Sequence, residues 1–403
     1  MTMSIEHPIH DQTYTVIILC LCLSFFFLPV ATAPLTLSCL LALTIWLFSG
    51  RCYKDRADWL HQGWFLPVGA LCVLPWVAIL WSPAPVEEAF KFALRSHYWL
   101  FALVAASALK SERALRIVMA CFVSGCALIA VIQNLYLAGI LPQTAYLQKF
   151  SAHSYITYSL LVVIAVLLLA FFYATSTTRI NKLLIAALML FLVFTITHLK
   201  GRSAYLSLAL LSPWLFITMF GRRRLIPIVV AVLVTLALIC ISQRVQERIA
   251  LIPKEIKLYQ AGVSSSYQLP DGSTTPSSVG LRMMMWNDAL KIFLHHPFFG
   301  AGTGSYQLEA QKINPENALP HPHNSYLYIL ANFGLAGIAL YGWLLVITLK
   351  RAWQSRQHIS GHSILAFVAV ILIGGLTDTQ VLSVATGIAL GFMAGLPTPP
   401  STS

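Results

Sequence analysis

Charge is what this chain has least of. Only 10% of its 403 residues are Asp, Glu, Lys or Arg, where a soluble domain carries about a quarter. So few charges cannot dress a water-facing surface, and 58% of the residues are hydrophobic. The composition excludes an ordinary soluble enzyme and reads as a polytopic membrane protein. Acids are scarcest, 14 against 26 Lys and Arg. No Asp-x-Asp pair occurs, so a carboxylate cage for Mg²⁺ or Mn²⁺ has little to be built from. No Gly-x-Ser-x-Gly elbow offers a nucleophilic serine. The eight cysteines are Cys20, Cys22, Cys39, Cys52, Cys72, Cys121, Cys126 and Cys240. All but Cys52 fall in apolar runs, and none has the loop spacing of a zinc site or disulfide framework. Neither a metal nor a structural disulfide is expected. The N-terminal MTMSIEHPIHDQ lacks a basic start and a small-residue cleavage site, so the first apolar run is expected to remain as a helix.

What is present is hydrocarbon-length helix. Crossing about 30 Å of hydrocarbon takes about 20 apolar residues. Such runs begin near positions 14, 34, 64, 92, 117, 154, 183, 204, 225 and 326. The stretch 363–396 is too long for one helix and is interrupted by Gly374, Gly375 and the polar run 377–380, so it reads as two. The expected fold is all-α, with about twelve transmembrane helices and one large loop between the ninth and tenth. Segments 50–63, 110–116, 176–182, 221–224 and 350–358 carry three, three, two, three and three basic residues. The short alternate loops carry few: Lys91 in 83–91, Lys149 in 141–153, and Lys200 with Arg202 in 198–203. The excess of Lys and Arg marks the cytoplasmic side, which then holds both termini. It also explains much of the net charge of +12 without any nucleic-acid partner.

The expected division is residues 1–242 for the first nine spans, 243–325 for a periplasmic loop with short helices, 326–397 for the last three spans, and 398–403 for a cytoplasmic tail. A loop as long as 243–325 is usually functional or disordered. Its start, SQRVQERIALIPKEIKLY, has helical spacing; GVSSSYQLPDGSTTPSSVG reads as flexible. In VGLRMMMWNDALKIFLHHPFFGAGTGSY, Arg282 and Trp286 share a helical face, and Pro297 and Gly300 stop the helix. Gly300, Gly302 and Gly304 follow no strand and lack the full dinucleotide fingerprint, so they read as a tight turn.

Three strings carry a resemblance: GRSAYLSL at 201–208, LRMMMWNDALKIFLHHPFFGAGTGSY at 281–306, and HPHNSYLYILANFGLAGIALYGW at 321–343. Their order is an Arg-Ser step opening a helix, an Arg shortly before a Trp, a Pro-x-x-Gly-x-Gly turn, and a His-Asn pair before a Gly-rich membrane helix. In this the chain resembles the O-antigen ligase and polymerase superfamily. It departs at THLKG before Arg202, where many members have a Thr-x-Ser step and where Lys200 adds a charge. The resemblance implies an inner-membrane glycosyltransferase working at the periplasmic face, without cofactor, among membrane lipids. The implied donor is a polysaccharide on undecaprenyl pyrophosphate. The implied acceptor is a sugar of the lipid A core in the ligase branch, or another lipid-linked glycan in the polymerase branch. A third branch glycosylates proteins and tends to carry a further C-terminal domain.

That chemistry suits the residues. Guanidinium forks hold phosphate oxygens without titrating, which fits Arg202 and Arg282 as stabilisers of the departing pyrophosphate. An acceptor hydroxyl needs a base near neutral pH, a task suited to imidazole; His323, beside the tenth span, is best placed. His321, Asn324, Arg95, Lys200 and Trp286 are the candidate substrate-binding residues. Each reading has a plainer alternative. Arg202 suits lipid headgroups, Arg282 could pair with Asp288, and His323 could simply bond at a helix start. His321 reads as structural and His295-His296 as an exposed helix end. Arg95 suits phosphate and pairing with Glu87 or Glu88 equally. Asp378, at the turn between the last two spans, suits orienting a histidine, though a polar turn is the plainer account. Asn324 or Ser325 is the expected helix cap, and Gly334, Gly337 and Gly342 are expected to let helices pack closely. Twelve helices also suit a transporter or flippase, but those keep polar sites near the midplane on broken helices, often with repeated halves. Here the outlying charges gather at one face.

Overall fold

A computed structural model describes residues 12–141, 155–199, 201–220, 229, 233, 243–261, 266–268, 274–276, 278–315 and 319–399. The described chain is almost wholly helical. In order, the main helices are α1 (Gln12–Phe27), α2 (Thr32–Phe48), α3 (Phe65–Val77), α4 (Val86–Leu94), α5 (Phe101–Ala108), α6 (Glu112–Leu137), α7 (Tyr155–Thr175) and α8 (Arg179–His198). There follow α9 (Arg202–Phe220), α10 (Gln243–Gln260), α11 (Ser278–His295), α12 (Tyr306–Ile313), α13 (Ser325–Gln354), α14 (Ile359–Gly375) and α15 (Val384–Gly395).

Among the described residues, α6, α7, α8 and α13 are long and apolar enough to cross a membrane. Shorter apolar helices stand at α1, α2, α3 with its extension to Trp81, α9, α14 and α15. Ten of the expected spans therefore have an apolar helix in place. The run expected from 225 falls almost entirely outside the described residues. The run expected from 92 is not one helix. It is α4, then a 3₁₀ segment Arg95–Leu100, then the eight residues of α5. α4 belongs at a surface rather than in hydrocarbon: Glu87, Glu88 and Lys91 all project outward, with Lys91 Nζ 2.9 Å from Glu87.

The bundle is built around α7, whose apolar side chains are buried on every face by α6, α8, α9 and α14. Small residues set the closest approaches. A Cβ on Gly201 would strike Ser159 Oγ, and one on Gly374 would strike Leu160. At one end of the bundle the basic segments meet. Lys110 pairs with Asp58 (2.6 Å), Arg116 reaches Thr175 (3.2 Å) and His358 reaches Glu112 (2.7 Å). The seven described cysteines are free.

Among its described residues, the segment expected from 243 to 325 departs from a purely flexible middle. Its Gly/Ser-rich middle holds two three-residue strands, β1 (Ser266–Gln268) and β2 (Thr274–Pro276), paired antiparallel with Ser266 opposite Pro276. The glycine turn is as expected, with positive φ at Gly300 (69°), Gly302 (100°) and Gly304 (74°).

That turn is wedged into a break in α13. At Gly334 the backbone leaves helical geometry (φ 61°, ψ −154°), which opens the hydrogen-bond ladder. The turn closes it from outside. Leu335 and Ala336 donate to the Pro297 and Phe298 carbonyls (2.8 and 3.0 Å), while Ala301 and Gly302 donate to those of Ala331 and Asn332 (both 2.9 Å). The Asn332 side chain, fully buried, accepts from Ser305 Oγ and the Tyr306 amide. Thr303 Oγ1 ties the turn to the Pro75 carbonyl of α3 (2.6 Å). Within a bilayer every such group must find a partner inside the protein. Gly342, expected to pack closely, has open space where a Cβ would be.

A Cβ at Gly334 would lie 2.6 Å from both the Phe298 carbonyl and the Gly300 amide, at a backbone angle side chains avoid. Gly334→Ala should therefore cost about 1–3 kcal/mol and loosen the 297–304 turn, seen as a lower thermal midpoint of the purified protein. Gly342→Ala should leave the midpoint within error. Equal melting of the two variants would contradict this packing.

Candidate active site at the start of α13

Asn324 begins the site. Its backbone is extended, and its Oδ1 accepts from the Tyr326 and Leu327 amides at 3.0 and 3.1 Å, an N-cap in the usual sense. Its Nδ2 donates to the Leu376 carbonyl (3.1 Å), and Ser325 Oγ donates to the Asp378 carbonyl (3.2 Å). The start of α13 is thus pinned to the turn between α14 and α15. On the far side, Trp286 Nε1 of α11 donates to the Pro322 carbonyl (3.0 Å). Trp286 and Asn324 therefore hold the histidine segment in place, and their polar atoms are already engaged.

His323 lies between these two fixings with φ 49°, the one positive value on a non-glycine residue among the described residues. A side chain in that region is uncommon and persists where surrounding contacts enforce it. Its Nδ1 stands 2.8 Å from Asp378 Oδ1. Asp378 is itself buried, with Oδ2 accepting from Gln380 Nε2 (3.0 Å). Asp378 is a partner of the histidine and not merely a turn residue, which decides between its two sequence readings. Burial pushes its carboxyl up, but the hydrogen bond and charge of His323 outweigh that and hold it below the usual carboxylate range. A proton on Nδ1 facing this carboxylate leaves the Nε2 lone pair free to accept another.

His321 packs edge-on against His323, ring centroids 4.4 Å apart, with its Nδ1 3.2 Å from Thr379 Oγ1. The donor atoms of His321, His323 and Asp378 all lie within 4.8 Å of one another, a geometry that could hold a metal ion. Thr379 and Gln380, which sequence inspection passed over, complete the shell.

Arg95 reaches the same turn from the 3₁₀ segment that breaks the fourth expected span. Its Nη1 donates to the Leu382 carbonyl (3.4 Å), and its guanidinium lies over the Phe92 ring. Glu87 and Glu88 are engaged by Lys91 instead, and Arg95 makes no ion pair among the described residues. Arg282 is half-buried on α11, one helical turn before Trp286. α9 abuts the site too: Ser203 Oγ is 2.5 Å from Thr377 Oγ1, next to Asp378. The side chain of Arg202, and Lys200 altogether, lie outside the described residues. His295 and His296 are exposed at the end of α11.

The structure thus gathers His321, His323, Asp378 and Arg95 around one turn, with Ser203 of α9 bonded beside it and Trp286 of α11 bonded to Pro322. A basic nitrogen with an oriented carboxylate, next to guanidinium groups, suits proton removal from a hydroxyl while an anionic group departs.

Residues 164–342 match the family model described as O-antigen ligase. That span runs from α7 through α11 and the glycine turn into α13, so it takes in the histidines and both motif arginines. No curated protein matches the chain.

The cluster has a pH signature. Burial first, then the charges of His323 and Arg95, hold the His321 imidazole down at about 4 against a partial upward pull from Asp378; its ordinary value is 6.5. Below pH 6.5 the unfolded chain takes up a proton here that the folded chain refuses, so stability falls as pH drops from 6.5 towards 4 and is unaffected above. Asp378, with its value lowered, adds a stabilisation that is present throughout this window and is lost only below it. His321→Gln should make the fall of thermal stability shallower over this range. Identical pH profiles for the variant and the parent would count against the buried neutral ring.

Proposed function

Taking the O-antigen ligase domain at residues 164–342 as premise, we propose that this multi-pass membrane protein transfers a polysaccharide from undecaprenyl pyrophosphate to a sugar hydroxyl of the lipid A core, at the periplasmic face of the inner membrane. The observation that carries the reading is the His323–Asp378 pair, held in strained backbone beside Arg95 and α11. His323 Nε2 takes the proton of the acceptor hydroxyl, and the freed oxygen attacks the anomeric carbon. The carbon–oxygen bond to pyrophosphate breaks, and the electron pair leaves with the phosphate. Arg282, Arg95 and Arg202 offset the charge growing on that leaving group. Asp378 keeps the imidazole turned with Nε2 outward and stabilises the imidazolium that forms. No step calls on a metal.

Transfer assayed with purified protein, lipid-linked donor and lipid A-core acceptor tests this account. His323→Ala should lose about 10²–10⁴-fold in rate while still binding donor. Arg282→Ala should lose about 10²–10³-fold, with poor rescue by Lys, which lacks the bidentate fork. Loss of donor binding in His323→Ala, or near-normal turnover in Arg282→Ala, would remove that residue from its role.

Transfer should also continue in EDTA. Strict dependence on an added divalent ion would show that the His321–His323–Asp378 trio works as a metal site. In cells, a deletion strain should lose all O-antigen on lipid A while lipid-linked polymer accumulates. A ladder cut to one repeat unit would instead mark a polymerase.

A further inference from the structure

Transfer uses one ring nitrogen of His323, and the other faces a carboxylate. His323 Nδ1 and Asp378 Oδ1 stand 2.8 Å apart. Two ligands on a tetrahedral zinc ion, each about 2.0–2.2 Å from it, stand about 3.3 Å apart. An ion therefore fits between this pair once the two part by about half an ångström. The ring of His321, its centroid 4.4 Å from that of His323, supplies a third ligand, since one donor atom from each of the three residues lies within 4.8 Å of the others. The surroundings suit a metal as well. Gln380 Nε2 steadies Asp378 Oδ2 (3.0 Å), and the His321 ring is bonded to Thr379 Oγ1 (3.2 Å). Outer partners of this kind orient metal ligands. The His323 side chain is 32% exposed, which gives an ion a way in from water. Two imidazoles with one carboxylate favour Zn²⁺ over Mg²⁺ or Ca²⁺, which prefer oxygen alone.

We propose that His321, His323 and Asp378 bind one Zn²⁺ ion, and that the bound ion switches transfer off. The switching half of this rests on the transferase reading above. What the ion changes is the tautomer of His323. In the metal-free ring the proton sits on Nδ1 against Asp378, and Nε2 holds the lone pair that the acceptor hydroxyl needs. Zinc coordinates through the Nδ1 lone pair, so the ring proton moves to Nε2. The imidazole stays neutral and the ring neither gains nor loses a proton, but its outward nitrogen has become a donor. It can no longer take a proton from a hydroxyl. Asp378 meanwhile exchanges its hydrogen bond for a bond to the metal, so it no longer supports an imidazolium. The arginines supply no ligand, and the two charges of the ion against a single carboxylate leave the site more positive. An anionic donor therefore still binds, and only the chemical step stops.

The experiment titrates the intact, untagged protein in detergent with CoCl₂, whose visible absorption reports a tetrahedral site, and then displaces the cobalt with ZnCl₂. One Co²⁺ per chain should bind, and Zn²⁺ but not Mg²⁺ should displace it. His323→Ala and Asp378→Asn should each abolish the band, and Thr379→Val, which removes an outer partner, should weaken binding about 10–100-fold. His295 and His296 form the competing exposed pair, and changing both to Ala should leave band and transfer intact. Protein loaded with zinc and then desalted, so that no free ion meets the donor's pyrophosphate, should lose transfer about 10²–10⁴-fold, the range for a lost general base. It should keep donor binding and recover in EDTA. A band that survives in His323→Ala and Asp378→Asn, a band that vanishes with the 295–296 pair, or no binding at all would overturn the proposal. Should either ligand variant fail to fold, the Thr379→Val titration decides in its place, and unchanged affinity there overturns the site. Zinc seated on the trio with transfer at full rate would overturn the switch and fault His323 as the base. Absent binding, with transfer still lost in His323→Ala, would fault the metal site alone and leave the transferase reading standing.

Discussion

The arrangement depends on the gap in α13 at Gly334. A helix inside a bilayer cannot leave amides and carbonyls unpaired, since each one costs several kcal/mol where no water can reach. The chain meets that demand with four backbone hydrogen bonds from residues 297–302, well away in sequence. The glycine turn is consequently fixed in depth and orientation, and α11, which leads directly into it, is fixed with it. Trp286 is thereby presented to the segment that precedes α13. The conformational freedom of Gly300, Gly302, Gly304 and Gly334 serves this docking.

Given that frame, the site forms where three independent ends converge: the N-cap of α13, the turn between α14 and α15, and the start of α9. Each brings only one or two polar side chains, so the cluster is cheap to build in an otherwise apolar chain. The strained backbone at His323 is balanced by contacts on either side, Trp286 on Pro322 and Asn324 on Leu376. Asp378 then fixes which nitrogen of the ring faces outward. The shortage of acids noted at the outset has a consequence here. Among the described residues Asp378 is the carboxylate paired with His323, and Arg95 is the guanidinium whose charge reaches His321.

Much of this was legible in the sequence because it is local. Apolar run length placed ten helices, glycine and proline spacing placed the turn, and Asn324 before an apolar run announced its cap. What was not legible is long-range. Asp378 lies 55 residues from His323, and its short polar turn looks like any other connection between membrane helices. The fourth expected span had sufficient apolar residues over 92–108, and nothing in hydropathy said that Arg95 would interrupt it. That interruption follows from tertiary demand: Arg95 bonds to Leu382, and Gly387 and Gly391 of α15 press against Tyr98. The break in α13 was likewise hidden, since Gly334 in FGLAG suggests helix packing as readily as a gap.

The central claim is that one cluster at the start of α13 positions both the base and the leaving group. The most direct measurement is a structure of the protein with an unreactive lipid-linked donor bound. The account predicts pyrophosphate oxygens within about 3.2 Å of the Arg95 and Arg282 guanidinium nitrogens, and the anomeric carbon on the side of His323 Nε2. A donor whose pyrophosphate lies at the basic end of the bundle, or whose sugar is out of reach of His323, would contradict it.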